Sequence, residues 1–524
     1  MEKIKEKVNK TFTGVFGWIK KNPVEFWILI TILTVGAFLR LYRIDQYLTF
    51  LGDEGRDVII VRRLLVYSDP ILIGPGTSIG NMYLGPLYYY MMALPLLIAN
   101  FSPVGPAVMV ALLGLVTIAF IWWVAREWFP TSLKLRGASG LIAAGLYAIS
   151  PTVIIYSRSS WNPNIMPFFA LLSIYSVWRV WQRREFKWLF VLGVSYAFVL
   201  QSHYLGLLLA PTIFVYWLST YLKIRNSKSG IRKYLNSSFI ALFVFVLLMS
   251  PLVIFDARHG WRNFSAMKQF VSVRQETVSI KPWKAIPNMW PIFEKANTRL
   301  LTARNEIAGK IVSLILLFWI GWKIAGWRKI DHRSRIAYGI LFTWLAFALV
   351  GLGLYKQEIY DHYFGFMFLV PFLLVGGLAQ NLLKKKKFKI YIYLVILIIV
   401  FINLNKTPIR FPPDMQLPRT EVIAKFIDEK SGGERFNIAT ISERNNRDVY
   451  QYFLLLWGAK VVDTDPSALE YTVTDQLFVV CEKPKEECDP THDPSAWITN
   501  FGWTKIVDQW EVWGVNIYKL GHTK

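Results

Sequence analysis

Ionisable side chains are missing from the middle of every long apolar run in this 524-residue chain. Transporters and proton relays keep such groups near the bilayer midplane because their ions pass there, so the pattern argues against that class. There are only two cysteines, Cys481 and Cys488. No His/Cys spacing of a zinc site can be read, and no Ser/His/Asp arrangement; if a divalent metal takes part, the sequence gives no support for it. No repeat at a solenoid period occurs, and no long low-complexity tract. Nor does a small-residue cleavage site follow the first apolar run, which ends "GAFLRLYR", so the expectation is an uncleaved anchor.

Apolar surface is abundant. The chain is 54% hydrophobic, with 22 Trp and 25 Tyr, a composition that suits membrane spans with aromatic belts at both interfaces. The formal charge of +24 would suggest nucleic acid in a soluble protein. Here the cytoplasmic excess of Lys and Arg accounts for it, and no nucleic-acid partner is expected. The basic start "MEKIKEKVNK" and Lys20–Lys21 place the N-terminus in the cytoplasm of a multi-pass plasma-membrane protein.

About eleven transmembrane helices are expected, near 24–42, 105–124, 138–156, 164–181, 188–202, 204–222, 237–255, 309–326, 336–354, 363–382 and 389–404. Loops such as "QRREFK", "WRKIDHRSR" and "KKKKFK" are basic and read as cytoplasmic, and the intervening short turns face out. "LGPLYYYMMALPLLIA", 84–99, is also apolar, but a twelfth span would put "KKKKFK" outside. With Pro86, Pro95 and three Tyr it reads as an interfacial helix in the first outer loop. The fold class is therefore a polytopic α-helical membrane protein, residues 1–404, followed by a small extracytoplasmic α/β domain, residues 405–524. That second domain mixes helix-like "TEVIAKFIDEK" and "DVYQYFLLLWGAK" with strand-like "FNIATI", "DQLFVVCE" and "WGVNIYKL". Outside the cytoplasm, Cys481 and Cys488 can form a disulfide; the alternative is two free thiols.

Two adjacent acids, Asp53 and Glu54 in "GDEGRDVIIVRRLL", stand just past the first span on the outer side. Transfer of a sugar from a lipid phosphate would need a carboxylate base for the acceptor hydroxyl and cations for the departing phosphate. Asp53 and Glu54 supply the base, Asp53 as the proton acceptor and Glu54 orienting it or tuning its pKa, or Asp53 caps the helix that follows; the roles of Asp53 can coexist. For the phosphate, "FDARHGWRN" offers Arg258, His259 and Arg262, which could instead anchor at the headgroup level, and "YSRSSWNPN" offers Arg158. His362 and Tyr363 in "YDHYF" could hydrogen-bond phosphate or sugar, or be structural. Asn162 and Asn164 are helix-capping residues and pocket candidates, His203 is a weaker pocket candidate, and "GPGTSIGN", 74–81, is a glycine loop without the P-loop ending.

These segments resemble the membrane-embedded C-type glycosyltransferases (GT-C), and within them glycosyltransferase family 39: the protein O-mannosyltransferases and the aminoarabinose transferases. The likeness rests on "GDEGRDVIIVRRLL", "LGPLYYYMMALP", "YSRSSWNPNIMPFFALL" and "YDHYFGFMFLVPFLL", and spans roughly residues 24 to 404. It implies a polyprenyl-phosphate sugar donor, a lipid, glycan or protein acceptor, inversion at the sugar, and Asp53 as the leading carboxylate. Two positions depart from the pattern. Leu84 and Gly85 stand where many relatives carry a Lys before the proline, and Asn164 stands where many carry Asp; Arg258 and His259 are the cations left to compensate. The rival readings are a flippase of lipid-linked sugars and an inactive relative that binds a partner.

Overall fold

The computed structural model describes residues 17–77, 82–130, 137–272 and 277–523. The basic N-terminal stretch and the last four residues of the 74–81 glycine loop lie outside them. All eleven expected segments are helical. Among the described residues, seven helices are long and apolar enough to cross a membrane singly: Pro23–Leu41, Val104–Trp128, Tyr204–Ile224, Lys228–Arg258, Glu306–Ala325, His332–Gly353 and Lys386–Asn405. An eighth span arises if Asp361–Met367 and Leu369–Leu383, bent by 57°, are taken as one.

Proline explains why other segments are shorter. Pro151 starts a new helix, Pro151–Tyr156, after Ala138–Ile149, because its ring removes a donor and crowds the preceding turn. Pro163 sits in the 3-10 turn Asn162–Ile165 that leads into Met166–Arg183. Lys228–Arg258 packs at the rim and turns Phe239, Leu242, Phe243 and Leu247 outward. So much exposed aliphatic and aromatic surface on a 31-residue helix is what lipid contact requires. The protein is an integral membrane protein.

The segment 84–99 forms Leu87–Ile98, which buries Tyr88, Tyr89, Met92 and Leu96. It packs between Gly52–Tyr67 and Val104–Trp128.

The C-terminal region carries a four-stranded sheet of order β1-β2-β4-β3, with β1 Asn437–Ile441, β2 Gln476–Cys481, β3 Thr504–Val512 and β4 Val515–His522. β1 and β2 are parallel, so the chain must cross over between them, and helix Asp448–Trp457 lies in that crossover. β3 was not anticipated. It is an edge strand with most side chains in solvent, so no buried alternation marks it in the sequence. Cys481 and Cys488 are disulfide-bonded. One hydrophobic core runs from Phe50, Val58, Val61 and Tyr89 of the first loop to Ile423, Val449, Phe453 and Phe478 of the C-terminal region. The two parts are therefore packed as one unit around the acid-bearing helix.

Candidate functional site

Gly52–Tyr67 begins after Leu51, whose backbone is extended. The cap is not made by Asp53, as one reading of the sequence had it. The Leu51 N–H donates to Glu54 Oε2 at 3.1 Å, because the third helical position, unlike the second, can fold back onto that donor. Glu54 is consequently buried, at 6% exposure. Burial raises its carboxyl to about 8, against two backbone hydrogen bonds that lower it, with Asp53 and Asp57 adding to the rise.

Asp53 points the other way. Its side chain is half exposed and pairs with Arg56 at 2.8 Å, one helical turn on. Arg56 also donates from Nε and Nη2 to Asp57 Oδ1, at 3.0 and 2.7 Å, and Tyr89 donates its hydroxyl to the same oxygen at 2.8 Å. Asp57 is fully buried, and Oδ2 has no partner. Burial raises Asp57 to about 6, with Arg56 and Tyr89 opposing. Burial works against the Arg56 charge, but Asp57, Tyr89 and Asp53 outweigh it and keep the guanidinium charged well into the alkaline range. Asp57 was not picked out from the sequence. Its spacing of four from Asp53 places both on one helix face, and that was the available signal.

Asp53 lines a cavity of about 500 Å3. The walls are Thr49 and Leu51–Glu54 on one side, Ile155, Tyr156, Ser159, Trp161 and Asn164 on another, and the loop Glu443–Asn446 on the third. Asn164 donates to the Ser159 carbonyl at 2.9 Å and leaves Oδ1 without a partner. Tyr88 and Ser160 share a 2.7 Å hydrogen bond that ties the Leu87–Ile98 helix to this wall. His362 stands edge-on to Trp161, with ring centroids 4.7 Å apart, and close enough to Asp53 for their charges to interact. Tyr363 is buried against His203 and His362. Both histidines therefore belong to an aromatic cluster behind the cavity and do not line it.

The loop 443–446 had no signal in the sequence, since its position depends on docking. Glu482 braces it by accepting from Asn445 Nδ2 at 2.6 Å and from Ser442 Oγ at 3.2 Å. Docking itself requires Gly55, where a Cβ would sit 2.6 Å from the backbone nitrogen of Val449.

The cations fall into two groups. Arg158 is buried, donates from Nη2 to the Tyr42 carbonyl at 3.1 Å, and stacks 4.4 Å from the Tyr47 ring. Its Nε and Nη1 have no partner. Burial lowers it to about 10, with Tyr47 opposing. Arg158 lines a second cavity of about 330 Å3 with Arg304, Lys406 and Asp414, and this shares Thr49 and Ile155 with the Asp53 cavity. Arg258, His259 and Arg262 are exposed and lie elsewhere. Their turn is held by Asp256, which accepts from the Asn263 and Phe264 amides at 2.7 and 3.0 Å. It packs beside Tyr83, whose amide donates to Asn263 Oδ1 at 2.7 Å. These three cations thus neighbour the Tyr83–Pro86 segment and do not line the cavity that holds Asp53. Among the described residues, no three His, Cys, Asp or Glu side chains converge as a metal site would need.

The sequence model of the dolichyl-phosphate-mannose-protein mannosyltransferase family matches residues 84–250, a stretch short of half the chain. Curated proteins give no match. Among solved structures, the archaeal oligosaccharyltransferase AglB from Archaeoglobus fulgidus, in complex with an inhibitory peptide and a dolichol-phosphate, aligns with a TM-score of 0.50 at 13% identity, over 88% of this chain and 70% of that one. ArnT from Cupriavidus metallidurans aligns at 0.45 and 14% identity both with undecaprenyl phosphate bound, over 96% and 98% of the two chains, and in the apo state, over 97% and 98%. The AglB alignment shows a shared fold, that of the C-type membrane glycosyltransferases; the small C-terminal sheet domain is this chain's own. At such identities the alignment shows the fold alone.

Proposed function

We propose that the protein transfers a sugar from a polyprenyl-phosphate donor to a hydroxyl of a lipid, glycan or protein acceptor, at the outer face of the plasma membrane and with inversion. The observation that carries this reading is Asp53, a half-exposed carboxylate held at the mouth of a helix in a 500 Å3 polar cavity. The family match over residues 84–250 supports the donor class.

In this mechanism the acceptor hydroxyl donates to Asp53. The carboxylate takes the proton as the oxygen attacks the anomeric carbon from the face opposite the phosphate. The bond from that carbon to the phosphate oxygen breaks, and its electron pair leaves on the lipid phosphate. Arg56 fixes the Asp53 carboxylate from one side, so its other oxygen is the one free for the acceptor. Trp161 and Tyr156 offer flat apolar faces against which a sugar ring can rest. Arg158, with unpartnered Nε and Nη1 in the cavity that shares Thr49 and Ile155 with that of Asp53, is the cation best placed for the departing phosphate; Arg258, His259 and Arg262, outside that cavity, suit contact with the lipid headgroup level. Glu54 acts as a neutral acid that closes the helix start and keeps Asp53 turned outward.

The test is Asp53→Asn in purified, detergent-solubilised protein, with polyprenyl-phosphate mannose and other polyprenyl-phosphate sugars as donors and donor consumption as the readout. Loss of the base is expected to lower turnover by roughly 10²–10⁴-fold at unchanged folding. Undiminished turnover by this variant would refute the assignment. A wild-type protein that consumes none of these donors would favour the binding or flippase readings.

A further inference from the structure

A third cavity with charged walls lies at the other end of the helix bundle. Glu306–Ala325 starts beside Arg304, which pairs with Asp361 at 2.8 Å next to His362. Its 20 residues rise about 30 Å, one hydrocarbon thickness, before reaching Lys323. Leu369–Leu383 runs the same way, from the His362 turn down to Lys384. At this far end the helices enclose about 540 Å3.

Lys323, Lys329 and Lys384 line the cavity, together with one acid, Asp331. That acid is already engaged: its Oδ1 accepts the Ser334 amide at 2.9 Å and caps His332–Gly353. Lys323 donates to the neutral Asn381 amide oxygen at 2.8 Å and lies 5.3 Å from the Tyr338 ring. Lys384 and Lys385 stand near enough to repel it, and Asp331 near enough to offset part of that repulsion. Basic residues that only orient a membrane protein can spread into water. Here they converge on a concave space between membrane helices, edged by the apolar rings of Phe129 and Trp322, and the positive charge is under-compensated.

We propose that this cavity binds the headgroup of an anionic phospholipid, with the phosphodiester on Lys323 and Lys384 and the glycerol end against Trp322. Basic pockets between membrane helices at the cytoplasmic side suit such lipids, each Lys contributing on the order of a five-fold gain in binding. The site is separate from the Asp53 cavity and stands whether or not the sugar-transfer reading does.

The test uses the full chain in neutral detergent, with phosphatidylglycerol, phosphatidylcholine and inorganic phosphate as probes, read by native mass spectrometry and by thermal stability. Wild type should retain and be stabilised by phosphatidylglycerol over phosphatidylcholine. Lys323→Gln with Lys384→Gln should lower that retention roughly 30-fold. Because Lys323 braces Asn381, Lys384→Gln alone, which alters an exposed side chain, serves as the second variant, and it should lose retention roughly five-fold. Equal retention of the two lipids, or unchanged phosphatidylglycerol binding in the second variant, overturns the proposal. So does lysine-dependent stabilisation by inorganic phosphate that matches the lipid's, which would assign the cavity to a soluble anion.

Discussion

Glu54→Gln isolates the cost of the acid that closes the Gly52–Tyr67 helix. Glutamine keeps an oxygen to accept from the Leu51 amide and removes the ionisation. In the folded protein the Glu54 carboxyl is raised from its ordinary 4.5 to about 8, so between those values the folded state holds a proton that the unfolded state has lost. Stability therefore falls as pH rises through that window and levels off above about 8. Each pH unit is worth about 1.4 kcal/mol, and the window sums to roughly 5 kcal/mol, an upper value because water entry and relaxation lessen it. Asp57 has the same sign between its ordinary 3.8 and about 6, and it contributes in both proteins. The assay is the thermal midpoint from tryptophan fluorescence in detergent, from pH 5 to pH 9. The wild-type midpoint should decline toward pH 8. The variant should be flatter and should overtake wild type by several degrees at pH 9. Parallel profiles for the two proteins across that range would refute the idea that Glu54 is buried and neutral.

Gly55→Ala should force the C-terminal region off the acid-bearing helix, since the new methyl meets the Val449 backbone; faster proteolysis near residues 406–415, with loss of sugar transfer, is the expected result. Arg158→Met should leave folding intact, because among the described residues two nitrogens of the buried guanidinium have no partner and its charge is costly where it lies; transfer should drop, and Arg158→Lys should restore part of it. Reduction of Cys481–Cys488 should destabilise the C-terminal region by about 2–3 kcal/mol, the loop-closure value for so short a loop, measured as a lower midpoint in the presence of a phosphine reductant.

Hydropathy by itself determined the helical membrane body, because a run of some twenty apolar residues has one cheap solution in a bilayer. Local periodicity added the helix that follows Asp53 and the α/β character of the C-terminal region, including β1, β2 and β4. Only the tertiary structure decided which acid faces the cavity. Asp53 and Glu54 are neighbours in sequence, yet the helix start turns one into solvent and folds the other back as a cap. It also separated Arg158 from Arg258, and it brought Glu443–Asn446, nearly four hundred residues away, onto the wall beside Asp53. Spacing along a chain fixes what lies on one helix face, but contacts between distant elements depend on how whole surfaces pack, as at Gly55 against Val449.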